Sequence, residues 1–97
     1  MKFSKLDPLL HSELRLAIMS LLISVEEANF NYLLDQTGAT RGNVSVQLQK
    51  LKQAGYIEIQ KEFRNNYPLT TARITKEGQD AFELYVKSLQ SYLKAGA

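Results

Sequence analysis

Cysteine is absent from the 97 residues. That absence removes disulfides, thiolate metal sites and thiol nucleophiles from consideration. There is one histidine, His11, so no second imidazole or thiolate exists to complete a transition-metal site. Its position ahead of an apolar periodic stretch suits capping or packing better than metal binding or a pH switch. Long hydrophobic runs are missing as well. The longest, AIMSLLISV at 17–25, is far shorter than the roughly 20 residues that span a bilayer. Asp7, His11, Glu13 and Arg15 interrupt any leader-like stretch near the N-terminus. A cytoplasmic protein without membrane contact is the expectation. Repeats, low-complexity tracts and linkers are lacking, and the length suits one domain over 1–97. Catalytic constellations are lacking too. Glu26 and Glu27 are adjacent, and adjacent side chains do not converge on one ligand. No nucleophile–base or acid–base pairing is recognisable. A chain this short buries only roughly 60% of its unfolded surface, which leaves little room for a deep active site. Neither an enzyme nor a cofactor is expected.

The net charge is only +2, but its distribution is uneven. Between Thr40 and Lys76 lie seven basic residues against Glu58 and Glu62, while the remainder holds five basic and eight acidic residues. A basic middle between acidic ends is the footprint of a polyanion-binding face.

Periodicity divides the chain into elements. Residues 7–24 predict a helix with two possible starts, signalled by Pro8 and by Ser12, and Leu14, Ala17, Ile18, Leu21 and Leu22 form one apolar stripe. EEAN breaks that pattern. Asn29 can cap a second helix, FNYLLDQT, whose Phe30, Leu33 and Leu34 turn inward, with Gly38 at its end. Thr40 is a good cap for a third helix running to about residue 54, on which Val44, Leu48 and Leu51 make a narrow inward stripe. Two short helices joined by the glycine-containing turn GAT predict a helix-turn-helix over about 29–54. The period then shifts to two. Ile57, Ile59 and Phe63 are expected inward and Glu58, Gln60 and Glu62 outward, and LTTARIT returns as a second strand after RNNYP. This hairpin covers about 56–75. A last helix over about 76–94 carries Phe82, Tyr85, Val86, Leu89, Tyr92 and Leu93 at helical spacing. The fold class is mainly α with a small β-hairpin (α+β), in the order of a winged helix.

Three runs, LDPLLHSELRLAIMSLL, TRGNVSVQLQKLKQAGYIEIQKEF and PLTTARITKEGQDAFELYV, also resemble the small stand-alone winged-helix transcription regulators related to the MarR and ArsR groups. The likeness covers about residues 3–93. It rests on the H-S-x-L-R-L-x-I opening, the T-x-G-N-x-S recognition helix running into A-G-Y-I, and T-x-x-G-x-x-A-F at the start of the last helix. One departure is the hairpin tip, RNNYP, where that family carries a glycine with basic residues. The resemblance implies DNA binding and transcription regulation, with the hairpin as the wing.

Helix 40–54 is a poor helix on its own terms, since Gly42 and Asn43 occupy its opening turn. Measured from the inward stripe, Gly42, Val46, Gln49 and Gln53 point most directly away, flanked by Asn43, Lys50 and Ser45. In helix-turn-helix geometry the start of this helix enters the major groove of double-stranded DNA. Arg41 can pair with guanine or a phosphate, Asn43 and Gln49 can read adenine, and Val46 can touch a thymine methyl. Gly42 lets the backbone approach a phosphate at the positive helix end, and Thr40 can add a contact beyond its cap. Lys61, Arg64, Asn65 and Asn66, over the wing segment 61–68, are placed to reach the minor groove or the backbone. Asn65 and Asn66 equally suit a tight turn, because Asn tolerates positive φ. Arg73 should face outward, toward a phosphate or a surface ion pair.

The apolar stripe of the last helix exceeds what so small a core can cover, and it predicts a homodimer. Its expected interface is Phe82, Tyr85, Val86, Leu89, Tyr92 and Leu93, with Leu9, Leu10 and Leu14 from the N-terminal helix. The tyrosines and phenylalanines are read as core or interface. Any small-molecule effector would have to sit between the two copies. The alternative function is a winged helix used for protein–protein interaction, which predicts an acidic or apolar face where this one is basic and polar.

Overall fold

The computed structural model describes residues 3–95. Its elements are α1 (Glu13–Val25), β1 (Glu27–Asn29), α2 (Phe30–Thr37), α3 (Arg41–Gln53), β2 (Ile57–Arg64), β3 (Tyr67–Ile74) and α4 (Lys76–Ala95). The three strands form one antiparallel sheet in the order β1-β3-β2.

The helices start and stop where local chemistry dictates. The Asn29 side chain accepts from Tyr32 N at 2.9 Å, and Thr40 Oγ1 accepts from Asn43 N at 3.2 Å, so α2 and α3 each have a satisfied first turn. Gly38 ends α2 in the left-handed conformation at φ 68°, a geometry glycine adopts without steric cost. Leu33, Val44, Leu48 and Leu51 are buried beneath the two helices, against Ile18, Met19 and Leu22 of α1.

Three expectations need correction. Of the two starts the sequence offers, α1 takes Ser12 as its N-cap and begins at Glu13; the range from residue 7 is too long, because Asp7 closes a separate turn. Asp7 Oδ1 accepts from Leu9 N at 2.9 Å and its carbonyl accepts from Leu10 N and His11 N. EEAN is structured after all: β1 pairs with β3 through Glu27↔Arg73, Ala28↔Ala72 and Asn29↔Thr71. Phe63 is not inward. The sheet extends past the core at that point, and Phe63 is left exposed while Ile57 is buried and Ile59 is half-covered.

The interface expected on α4 is also reshaped. Leu10 and Tyr85 are buried within the chain and have no surface to offer a second copy. Tyr85 points back toward the N-terminal turn, its hydroxyl 3.0 Å from His11 Nδ1, which gives the lone histidine a packing partner. Tyr92 is overlaid by Phe3, with ring centroids 4.9 Å apart, and donates to the Ser4 carbonyl at 2.8 Å. Leu9, Leu14, Phe82 and Leu89 pack partly against the core, whereas Val86 and Leu93 are exposed.

The junction between the hairpin and α4 is tightly built. Thr75 Oγ1 accepts from Gly78 N at 3.0 Å and donates to the Gly55 carbonyl at 2.7 Å, while Thr75 N donates to the Tyr56 carbonyl. A Cβ on Gly78 would lie 2.1 Å from that Tyr56 oxygen. Gly78→Ala is therefore expected to destabilise the protein by about 1–3 kcal/mol through backbone displacement, read as a lower urea midpoint. An unchanged midpoint would show that the junction yields freely.

The Tyr56 hydroxyl donates to Asp7 Oδ2 at 2.6 Å. That hydrogen bond, burial, and the charges of Asp7 and Glu77 push its pKa up to about 12. A raised folded-state pKa gives stability that is complete below pH 10 and is lost as pH rises through about 12. Absorbance titration at 295 nm should show a late tyrosinate step that Asp7→Asn moves to lower pH and Tyr56→Phe removes. A late step that survives Tyr56→Phe would belong to another tyrosine.

Candidate nucleic-acid interface

α3 is held by its inner stripe and turns its polar residues outward. Gly42, Asn43, Ser45, Gln49 and Lys50 are exposed, and Val46 is half-exposed. The Thr40 cap occupies Asn43 N–H, while Arg41 and Gly42 N–H lie in the first turn, where a helix supplies no acceptor. No acidic residue lies in that turn, so the positive end of the helix is not offset locally.

Arg41 is positioned from α2. Its guanidinium lies over the Phe30 ring, 5.6 Å from the centroid, and Nη2 donates to Asn31 Oδ1 at 3.3 Å. A guanidinium stacked on an aromatic face loses little further rotamer freedom when it meets a ligand. Asn43 is positioned from within α3 and beyond. Its Oδ1 accepts from Gln47 Nε2 at 2.9 Å, Gln47 Oε1 accepts from Arg15 Nη1, and Arg15 Nε donates to the Leu9 carbonyl at 2.6 Å. Sequence reasoning missed Arg15 and Gln47. The only available signal was the i,i+4 spacing of Asn43 and Gln47; the link to Arg15 spans 32 positions.

The hairpin stands beside α3. Asn65 and Asn66 both have positive φ, 54° and 67°, which is the two-residue turn whose twist matches its strands. Between α3, the start of α2 and the hairpin lies an open cleft of about 770 Å³. The structure brings Arg41, Ser45 and Gln49 together with Lys61, Arg64 and Asn65 around this cleft. Three cations line it and no carboxylate does; Glu62 reaches Arg64 from outside the lining at 3.5 Å. Leu48 and Ile59 form its apolar floor. Gly42, Asn43, Val46 and Lys50 lie on α3, with Thr40 at its N-cap, outside this lining, and Asn66 sits at the hairpin turn.

Arg73 is set apart. It pairs with Glu27 at 2.7 Å, and that hydrogen bond raises its pKa further. In the sheet register it stands beside Glu58 on β2 and Glu27 on β1. Of the two outcomes expected for it, the structure has the ion pair.

Among the described residues no three His, Asp or Glu side chains converge as a metal site would require, and no helix is long and apolar enough to cross a membrane.

The sequence profile of a family described as the winged helix DNA-binding domain matches residues 14–93. An uncharacterised protein of Methanocaldococcus jannaschii is 34% identical over 76 residues, covering 78% of this chain and 83% of that protein. Among solved structures, a transcriptional regulator homologue from Pyrococcus horikoshii OT3 is similar with a TM-score of 0.84 at 24% identity, covering 90% of this chain and 86% of that one. NadR, solved in complex with 4-hydroxyphenylacetate, is similar with a TM-score of 0.72 at 22% identity, covering 91% of this chain and 64% of that one.

Proposed function

The chain belongs to the winged helix DNA-binding domain family, and from that premise we propose that it is a sequence-specific, homodimeric transcription regulator. In this reading α3 lies in the major groove and the β2–β3 hairpin, the wing, steadies the complex on the backbone or in the minor groove. The observation that carries it is the cleft between α3 and the wing, lined by Arg41, Lys61 and Arg64 with no acid among its walls. Cations supply affinity for phosphates, whereas hydrogen bonds to base edges supply sequence preference. Gln49 and Ser45, beside Arg41, offer the donors and acceptors that base edges require.

Selection from a random duplex pool, followed by salt titration on the selected site, tests the reading. Arg41→Ala and Gln49→Ala are each expected to weaken binding to that site by about 1–3 kcal/mol, the usual worth of a base contact. Arg64→Ala should instead weaken all duplexes alike and flatten the salt slope by about one unit, as the loss of one phosphate contact does. Unaltered affinity in all three variants would remove this cleft from DNA binding.

The second copy is assigned to α4. Phe82, Val86, Leu89 and Leu93 recur at helical spacing along one side, with Val86 and Leu93 exposed and Ile23 of α1 also open to solvent. Apolar surface of this kind supports association, and two-fold symmetry would place the two recognition helices about 34 Å apart, one turn of duplex. Sedimentation equilibrium at micromolar concentration should give twice the chain mass, and Val86→Glu with Leu93→Glu should return it to monomer. A monomeric parent protein, or an unchanged dimer in the double variant, would exclude this surface.

A further inference from the structure

The end of the wing holds two aromatic side chains that the core does not use. Phe63 and Tyr67 are 79% and 75% exposed, and the next most exposed aromatic residue among those described, Phe3, stands at 38%. Aromatic side chains ordinarily gain most by burial. Two of them beside one turn of a 97-residue chain point to a surface completed by something else.

The sheet register fixes how they are presented. Phe63 pairs with Pro68, and Arg64 pairs with Tyr67. Side chains alternate between faces along a strand, so Phe63 and Pro68 share one face of the wing while Arg64 and Tyr67 share the other. The Asn65–Asn66 turn closes the end. The tip is therefore a thin blade with an aromatic group on each side. It is also continuous with the basic cleft, because Tyr67 and Pro68 line that cleft beside Lys61 and Arg64.

We propose that this blade is an aromatic wedge that enters the minor groove of duplex DNA, with Phe63 and Tyr67 against opposite walls, partly unstacking a base step and bending the duplex. The proposal rests on the DNA-binding reading above and deepens it. A slot with two walls suits an element that carries an aromatic ring on each face, whereas a flat partner would engage one face only. The cations beside the rings match the phosphates that border such a slot. A ring on each face adds its own thickness to that of the sheet backbone, because side chains project perpendicular to the sheet, and the minor groove of B-form DNA is only about 6 Å wide. Entry therefore requires the groove to widen. Inserted apolar side chains produce such widening and kinking, most cheaply at pyrimidine–purine steps such as TA or CA. The wing would thus add a sequence preference without any hydrogen bond to a base.

The test uses the full chain and a duplex from the random-pool selection, with 2-aminopurine placed at the step facing the wing. Saturation with the parent protein should raise its fluorescence several-fold, and end-labelled duplex should show shortened end-to-end transfer distances. The double variant Phe63→Ser, Tyr67→Ser should keep the parent's circular dichroism melt, because both residues are exposed. It should bind the duplex roughly five- to a hundred-fold more weakly, the range for losing base–aromatic contacts, and leave the fluorescence flat at saturation. Exchanging the facing step for a G·C-rich one should weaken the parent protein and not the double variant. Unchanged affinity in the double variant, or a silent probe at saturation with the parent protein, overturns the wedge. A changed sedimentation mass with intact DNA affinity assigns the rings to a protein contact and overturns it as well. If the parent protein binds no duplex at any salt concentration, the DNA-binding reading itself fails; duplex binding with a silent probe leaves that reading standing and removes the wedge alone.

Discussion

One hydroxyl and one missing side chain hold the molecule's working parts in register. Thr75 Oγ1 joins the Gly55 carbonyl at the end of α3 to the Gly78 amide in the first turn of α4. Gly78 lets the helix backbone press against the Tyr56 carbonyl, where a Cβ would stand 2.1 Å away. Tyr56 in turn reaches the N-terminal turn through Asp7. Three of the elements that frame the cleft are tied here: α3 ends at this junction, β2 starts from it, and β3 returns to it. A hairpin that projects beyond the core keeps its angle only if its base is clamped. Its tip has no such support, since residues 60–68 are all exposed.

The same economy governs α3. A helix with Gly42 and Asn43 in its opening turn has weak intrinsic propensity, so its stability has to come from elsewhere. Val44, Leu48 and Leu51 bury its inner stripe completely or nearly so, and Thr40 caps its start. Lys50 and Lys52 sit in its last turn, where cations oppose the negative end of the helix. With packing and capping carrying the fold, the outward positions are released from helix-forming duty. Phe30 and Gln47 then use that freedom to hold Arg41 and Asn43 in set directions.

How much of this was legible in the sequence depended on the range of the interaction involved. Asn29, Gly38 and Thr40 mark the ends of α2 and α3 through bonds spanning three or four residues, and those boundaries could be read directly. The positive φ of Asn65 and Asn66 was legible for the same reason. β1 was not, because three residues of EEAN become a strand only by pairing with residues more than 40 positions away. The start of α1 stayed open between Pro8 and Ser12 because Pro8 signals both a helix start and a turn; Asp7 settles the choice with its side chain, and Ser12 is the cap. The alternation in β2 was correct in phase, but periodicity cannot say where a sheet outruns its core, so Phe63 was placed inside. Tyr85 and Leu10 fit an apolar stripe equally well as core or as interface. Only the path of residues 3–12 across α4 distinguishes the two.

In the proposed reading, the modest charge of the cleft sets the balance between affinity and selectivity. Three cations meeting three phosphates give a salt slope of about −2.7 on a logarithmic scale, since each phosphate neutralised contributes about 0.9. Between 50 and 200 mM salt that amounts to roughly a 40-fold change for one chain. Proteins that depend on six to ten phosphate contacts lose roughly a thousandfold or more over the same range. On that reading a chain with net charge +2 would gain little from non-specific attraction and would draw more of its affinity from directed contacts. Pre-positioned groups such as Arg41 on Phe30 suit that requirement, because ordering them has been achieved by folding and is not charged again at binding. Low background charge would also keep binding to unrelated sequence weak, and selectivity is the ratio between the two.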